Sequence, residues 1–344
     1  MTLRASINIA LMKTYFNNLF KLPDLYLSLN NNLKFQKSFI KETIALDIEE
    51  SRGINDNSLS EKDYKKITDY YGLAVPAVLG ESFCILRGKE MSFRERLSLT
   101  YLGGLTGLFD DFFDEKDMTE QHILNLIGNP RDAMPNTAHE RLFITFYKKA
   151  LDNAADANLV KDYFIKVFDA QVLSKKQVMP EIAYDEIKSI TYQKGGISLL
   201  FYRCALSQVM SMEEEKLLYK LGSLMQLEND IFDIYKDYQG GIRTLVTTET
   251  KIDKLRNNYK SLVDEIIVSV LQANYPTKSK KRFLRIISMI ICRGFVCLDM
   301  LKSNEKLTNH VFTIDKYERK DLICDMEKPI NILKTINYYS KSKI

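Results

Sequence analysis

Residues 221–245 read LGSLMQLENDIFDIYKDYQGGIRTL, and residues 109–115 read FDDFFDE. In the shorter stretch, Asp110 and Asp114 are four residues apart and Asp111 lies beside Asp110. The longer stretch carries polar side chains at steps of three or four residues: Gln226, Asn229, Asp233 and Asp237. At 3.6 residues per turn, groups with this spacing share one stripe of an α-helix. Leucine, isoleucine, methionine and phenylalanine surround both sets, so each stretch is predicted to be a largely apolar helix with an acidic stripe.

This setting favours a metal site. Like charges four residues apart destabilise even an exposed helix. Two half-buried carboxylates about 4 Å apart repel by about 4 kcal/mol at an effective dielectric of 20. Oxygen ligands with no His or Cys nearby suit a hard ion such as Mg²⁺, which completes its shell with water and substrate phosphates. The shorter motif alone is equally consistent with an acidic helix end in solvent, but the two motifs together favour a magnesium-dependent diphosphate site.

The rest of the chain predicts a single all-α domain over residues 1–344, with N-terminal helical segments of unclear role in residues 1–60. The 344 residues include only 14 Gly and 7 Pro, which favours long helices over strands and turns. Ser92 with Glu95 and Ser211 with Glu214 have the capping-box spacing, so they predict the starts of the two motif-bearing helices. Breaks are expected near Pro23 and at Gly195.

Composition limits the partners. The net charge of +4 does not argue for nucleic acid. The 5 cysteines form no CxxC pair and are expected to be core thiols in a reducing compartment. No secretory signal pattern or uninterrupted apolar span is visible, so we expect a cytoplasmic protein without a transmembrane segment. Helices are predicted at about 250–273 and 281–302, separated by a basic loop around Pro276.

Two cationic residues are candidates for binding a diphosphate. Lys194 precedes Gly195 and Gly196, and a helix interrupted by glycines could present the lysine to a phosphate. A glycine kink beside a surface lysine explains the same pattern. Arg243 follows the Gly240-Gly241 pair and could bind the diphosphate or cap the preceding carbonyls.

These motifs resemble those of the class I isoprenoid synthases, which include prenyltransferases, squalene and phytoene synthases, and class I terpene cyclases. The second motif is similar in spacing to that of squalene and phytoene synthases. It is also similar to the metal triad of bacterial cyclases, with Asp in place of the usual Ser or Thr and then Glu. KGGISLL at 194–200 and GGIRTL at 240–245 most resemble bacterial large-terpene synthases related to tetraprenyl-β-curcumene synthase. The resemblance covers residues 70–250.

The resemblance implies an all-α terpenoid synthase-like bundle around a central apolar cavity, with the two motifs at its mouth. Three Mg²⁺ ions are implied when substrate is bound. The ligands implied are Asp110 and Asp114, supported by Asp111, and then Asn229, Asp233 and Asp237. Gln226, Lys194 and Arg243 are the implied diphosphate contacts. The implied reaction is ionisation of a linear isoprenyl diphosphate followed by cyclisation or elimination, and a homodimer is compatible with it.

Two alternatives stay open. One is a prenyltransferase that couples or elongates prenyl diphosphates. The other is an inactive helical subunit that binds a partner synthase. The chain also departs from bacterial cyclases, because it lacks their upstream diphosphate-sensing arginine and its KYERK at 316–320 is not their Arg-Tyr pair.

Overall fold

The computed structural model describes residues 3–114 and 118–342, with backbone alone for 3–14. Glu115, the last residue of the first acidic motif, lies outside the described residues. Within these ranges the chain is all-α, without a strand, which confirms the predicted fold class. The α-helices are α1 Leu3–Thr43, α2 Ala45–Gly53, α3 Glu61–Lys65, α4 Gly72–Ala74, α5 Glu81–Arg87, α6 Phe93–Asp114, α7 Glu120–Gly128, α8 Ala138–Asn153, α9 Ala157–Ser174, α10 Tyr184–Cys204, α11 Met212–Phe232, α12 Ile234–Gln239, α13 Ile252–Gln272, α14 Thr277–Leu307, α15 Arg319–Leu322 and α16 Pro329–Lys341. Two π-helical turns, Lys66–Tyr71 and Val75–Gly80, flank α4, and 3₁₀ turns occur at Lys175–Val178 and Ile314–Lys316.

The chain divides into two compact units. The α6 unit consists of Leu27–Val172 and Ser198–Ser211. The α11 unit consists of Met1–Tyr26, Leu173–Ile197 and Met212–Ile344. The first acidic motif belongs to the α6 unit and the second to the α11 unit. The single domain and its central cavity stay predictions.

Helix α6 is the central element of its unit. The predicted capping box is formed at its start, where the Ser92 N–H and hydroxyl donate to Glu95 Oε2 at 2.8 Å. A Cβ on Gly103 would lie 2.5 Å from the Tyr71 carbonyl oxygen, so this glycine permits close packing of the two backbones. Phe112 is fully buried and packs 4.9 Å, centroid to centroid, from Phe143 of α8. The last turns of α6 are therefore fixed by buried aromatic rings, and the aspartates of the first motif lie close to these rings in the sequence.

Helix α10 runs without interruption through its glycine pair, so the predicted break there is wrong. The glycines serve helix packing instead. A Cβ on Gly195 would lie 2.8 Å from the Gly222 carbonyl carbon and 2.5 Å from Gln226 Cβ, both on α11. The Ser223 hydroxyl lies 2.9 Å from the Tyr192 carbonyl of α10 and 2.8 Å from the Tyr219 carbonyl of its own helix, so its one proton is shared between the two helices. Helices α10 and α11 thus cross backbone to backbone at this point.

The acidic helix is divided at Asp233, which has φ −90° and ψ 8°. Hydrogen bonds with helical spacing still cross the division, because the Asp233 N–H donates to Asn229 O and the Asp237 N–H donates to Asp233 O. Helix α12 then ends before the Gly240-Gly241 pair, where Gly241 has φ +68°. Glycine suits this left-handed conformation because it lacks a Cβ.

Three further expectations can be compared with the described residues. All 5 cysteines are buried, as predicted, and none of them is in a disulfide. Helix α1 continues through Pro23, so the break expected there is wrong; a proline removes one helical hydrogen bond, and the rest of this 41-residue helix spans the gap. None of the described helices is long and apolar enough to cross a membrane.

Candidate active site

The three aspartates of the first motif have different environments. Asp114 is exposed, Asp110 is half-buried and Asp111 is buried. Both carboxylate oxygens of Asp111 accept from Lys66 Nζ, at 2.6 and 2.8 Å. Burial alone would raise the pKa of Asp111, but His139 and Lys66 outweigh it and the pKa lies below its usual value. Asp111 is therefore an ionised anchor that ties the end of α6 to the π-helical turn carrying Lys66.

Asp110 lies close to a buried phenol. The Tyr202 and Thr106 hydroxyls are 2.7 Å apart, and Thr106 is one turn before Asp110 on α6. The Thr106 hydroxyl also donates to the Leu102 carbonyl at 2.9 Å, so its single proton is used there and Tyr202 is the donor in the pair. Burial is the main cause of a raised pKa for Tyr202, and the Asp110 charge adds to it. Tyr202 is thus a neutral, oriented phenol beside the first motif.

The second motif presents its stripe toward solvent. Asn229 is exposed, and Asp233 and Asp237 are half-buried. Asn229 Nδ2 donates to Asp233 Oδ2 at 3.4 Å, a long hydrogen bond. Asp230, the residue after Asn229, is buried and accepts from Thr191 at 3.2 Å and from Gln226 at 2.9 Å. Here too one carboxylate is an anchor and its neighbours remain accessible.

The acidic cluster of α11 and α12 carries electrostatic repulsion. Burial, together with the nearby charges of Asp230 and Asp233, raises the pKa of Asp237 to about 7. Burial likewise raises the pKa of Asp230 to about 6, opposed by its bond from Gln226 and by the charge of Lys194. A divalent cation beside this cluster would relieve the repulsion.

The donor set of the second motif fits Mg²⁺. Its accessible ligands are the side-chain oxygens of Asn229, Asp233 and Asp237, which are hard donors. No group of three or more His, Cys, Asp or Glu side chains in the described ranges is already gathered around one metal position. Mg²⁺ commonly takes one or two protein carboxylates and fills its shell with water and substrate phosphates. Residues 229, 233 and 237 meet that requirement.

Lys194 is the predicted cation that the structure brings to the second motif. It precedes Gly195 at the α10–α11 crossing, and its charge lowers the pKa of both Asp230 and Asp237 against the larger effect of burial. Gln226, predicted as a diphosphate contact, donates its amide to Asp230 instead, which leaves its carbonyl oxygen for other partners. A substrate role for either residue stays a prediction.

Two hydrogen bonds to the backbone of Arg243 hold this residue in place. Its N–H donates to the Gln177 carbonyl at 2.7 Å, and Gln177 Nε2 donates back to the Arg243 carbonyl at 3.1 Å. Within the described residues, Arg243 Nε is buried and lacks a hydrogen-bond partner. A guanidinium with an unpaired donor is suited to an anionic ligand.

Sequence reasoning missed the residues that hold the motifs in place. Three of them come from distant parts of the chain: Lys66 and Tyr202 beside the first motif, and Thr191 beside the second. Gly222 lies on α11 itself, four residues before Gln226. Only Gly222 had a visible signal, because a glycine inside a strongly apolar helix often marks close packing.

Comparison with known proteins finds a similarity in structure and none in sequence. No protein-family model and no curated protein matches the chain. The crystal structure of a dehydrosqualene synthase in complex with ligand is similar to this chain over 92% of its length and 97% of the synthase, with 14% identity and a TM-score of 0.43. A similarity with so low a TM-score does not bear on the activity of the chain.

Proposed function

We propose that the protein is a Mg²⁺-dependent class I terpene synthase that ionises a linear isoprenyl diphosphate and cyclises it or eliminates a proton from it. The observation that carries this proposal is the cluster on α11 and α12. Asp233 and Asp237 lie half-buried on one helical stripe, and Lys194 lies close enough to act on their charge. Burial, with the charges of Asp230 and Asp233 adding to it, raises the pKa of Asp237 to about 7. Paired acidic and basic groups of this kind are suited to a metal–diphosphate ligand.

The residues of the second motif would act in distinct ways. Asn229, Asp233 and Asp237 would hold Mg²⁺, which when bound supplies positive charge to the departing diphosphate. Lys194 would bind a diphosphate oxygen as a point charge. Asp230 holds the helix surface in place through Thr191 and Gln226, so the accessible groups need not reorganise when ligand arrives.

The first motif supports the same assignment. Asp110 and Asp114 are the accessible carboxylates at the end of α6 and would be its Mg²⁺ ligands. Asp111 is committed to Lys66 and would support them from behind. Tyr202 directs its proton to Thr106, so its oxygen lone pairs point elsewhere and could stabilise positive charge on an allylic cation.

The decisive experiment offers single prenyl diphosphates of C10 to C25 with Mg²⁺, without isopentenyl diphosphate or reductant. We expect a hydrocarbon or alcohol with the carbon number of the substrate, identified by mass spectrometry. Asp110→Ala, Asp114→Ala, Asn229→Ala and Asp233→Ala should each abolish turnover while the helical circular dichroism spectrum is unchanged. Asp132→Ala is the matched control, since Asp132 is an exposed aspartate in the loop after α7 and should not matter.

Other products would change the assignment. A product with twice the carbons of the substrate, or one longer by five only when isopentenyl diphosphate is present, would identify a prenyltransferase. Turnover that survives all four substitutions would remove the metal role of the motifs. Failure to bind or convert any prenyl diphosphate with Mg²⁺ would favour the inactive helical subunit.

A further inference from the structure

The connection between α13 and α14 lies in a stretch that has basic but no acidic residues. Between Glu265 and Asp299 the sequence contains no Asp or Glu. It contains six cationic residues: Lys278, Lys280, Lys281, Arg282, Arg285 and Arg293. Five of the six lie within 278–285, the first turns of α14. In a chain whose net charge is only +4, this is a strong local concentration of positive charge.

The connection between α13 and α14 is short and is stabilised by hydrogen bonds. Helix α13 ends at Gln272 and α14 begins at Thr277. Lys280 Nζ donates to the carbonyls of Leu271 and Ala273, at 2.7 and 3.0 Å. Those carbonyls belong to the end of α13, where a cation is favourable. Lys280 therefore holds the start of α14 against the end of α13. The remaining basic side chains project from this connection.

Apolar side chains accompany the exposed charges. Val268 and Leu271 are one turn apart on α13 and are 49% and 51% exposed. Lys278, Lys281 and Arg282 are exposed on α14 just beyond the connection. We call these five residues the α13–α14 tip. Earlier on α13 the exposed positions are charged or polar, with Lys260 and Asp264 paired, so the exposed apolar side chains of this helix are confined to the end that carries the basic residues.

We propose that the α13–α14 tip docks on the surface of an anionic lipid bilayer. Basic side chains near such a surface are attracted by the negative headgroups, and aliphatic side chains beside them enter the boundary between headgroups and acyl chains. Two aliphatic side chains cannot stack on nucleotide bases, which favours a lipid surface over a nucleic acid. The proposal needs neither acidic motif and is independent of the proposed function.

The test measures binding of the full-length protein to vesicles by sedimentation. The protein should bind vesicles of phosphatidylcholine mixed with phosphatidylglycerol, bind phosphatidylcholine vesicles far more weakly, and dissociate in molar salt. A Lys or Arg near an anionic surface contributes about fivefold in affinity. The triple variant Lys278→Gln, Lys281→Gln and Arg282→Gln should therefore bind about 100-fold more weakly. The double variant Val268→Ser and Leu271→Ser should lose about tenfold or more.

A matched control removes the same charge elsewhere. Lys34, Lys37 and Lys41 are exposed on α1, and changing all three to Gln should leave most of the vesicle binding intact. Circular dichroism and thermal unfolding would verify that every variant is folded. The proposal is overturned if the wild type does not bind anionic vesicles, or if the control loses as much affinity as the tip variant. It is also overturned if a nucleic acid duplex is bound more tightly than the vesicles through the same basic residues.

Discussion

The crossing of α10 and α11 can be tested by adding one methyl group. In Gly195→Ala the new Cβ would lie 2.5 Å from Gln226 Cβ and 2.8 Å from the Gly222 carbonyl carbon, and closer still to the Gly222 oxygen. Carbon atoms in contact are normally about 3.5 to 4.0 Å apart. The obstacle is the backbone of α11, which cannot rotate aside as a side chain can. The helices must therefore separate by about 1 Å or bend.

Two opposing effects determine the size of the result. Overpacking of this kind costs about 1–3 kcal/mol, and a rigid backbone neighbour favours the upper end. Alanine recovers about 1 kcal/mol of helix propensity relative to glycine. We expect the free energy of unfolding to fall by about 2 kcal/mol, a decrease in Tm of about 3 °C for a chain of 344 residues. Turnover should fall about 100-fold, because Lys194 and the acidic stripe would be displaced by about 1 Å.

The control is Gly128→Ala. Gly128 is the last residue of α7 and a Cβ there meets nothing within 4 Å, so its Tm and turnover should match the wild type. Gly222→Ala perturbs the same crossing from the other helix, since its Cβ would lie 2.8 Å from the Gly195 carbonyl carbon. It should reproduce the effect of Gly195→Ala. If Gly195→Ala has wild-type stability and turnover, the backbone contact does not position the site and this reasoning is refuted.

Three other substitutions address single interactions. Glu228→Gln should stabilise the protein by about 3 kcal/mol at pH 8 and by little at pH 5. Burial raises the pKa of Glu228 from 4.5 to about 7. Above pH 7 the folded state must therefore bury an ionised carboxylate, which lowers its stability, whereas below pH 4.5 Glu228 is protonated in both the folded and the unfolded state. Equal stability of the wild type and Glu228→Gln at pH 8 would refute this reasoning. Lys66→Met should cost about 3 kcal/mol, because the buried Asp111 carboxylate loses its lysine partner and keeps only the more distant His139. Adding Asp111→Asn should restore much of this stability, and a cost of less than about 1 kcal/mol for Lys66→Met would show that the ion pair is not structural. Lys194→Ala should weaken the calorimetric affinity for diphosphate with Mg²⁺ about tenfold or more, and unchanged affinity would return Lys194 to the role of a lysine beside a helix crossing.

The features that the sequence predicted correctly depend on local spacing. The capping box at Ser92 and the helical stretches that carry the two motifs are each determined by neighbours within a few residues. Such features follow from 3.6 residues per turn and from the conformations that each residue type allows. The glycine pair at 195 and 196 was misread because its partner, Gly222, is distant in sequence. In a sequence, a glycine pair that interrupts a helix looks the same as one that lets a second helix pack closely. Only the position of the second helix distinguishes the two cases.

The division of the aspartates into anchors and accessible ligands also required the structure. In the sequence Asp110 and Asp111 are indistinguishable, yet a rotation of about 100° between neighbours turns one toward Lys66 and leaves the other half-exposed. Asn229 and Asp230 repeat the arrangement, with Thr191 as the partner of the buried member. In both motifs the residue directly after a candidate ligand is a buried carboxylate bonded to a different element. Fixing the helix by that neighbour leaves the candidate ligand itself available, and this explains why each motif carries more acidic residues than a metal would need.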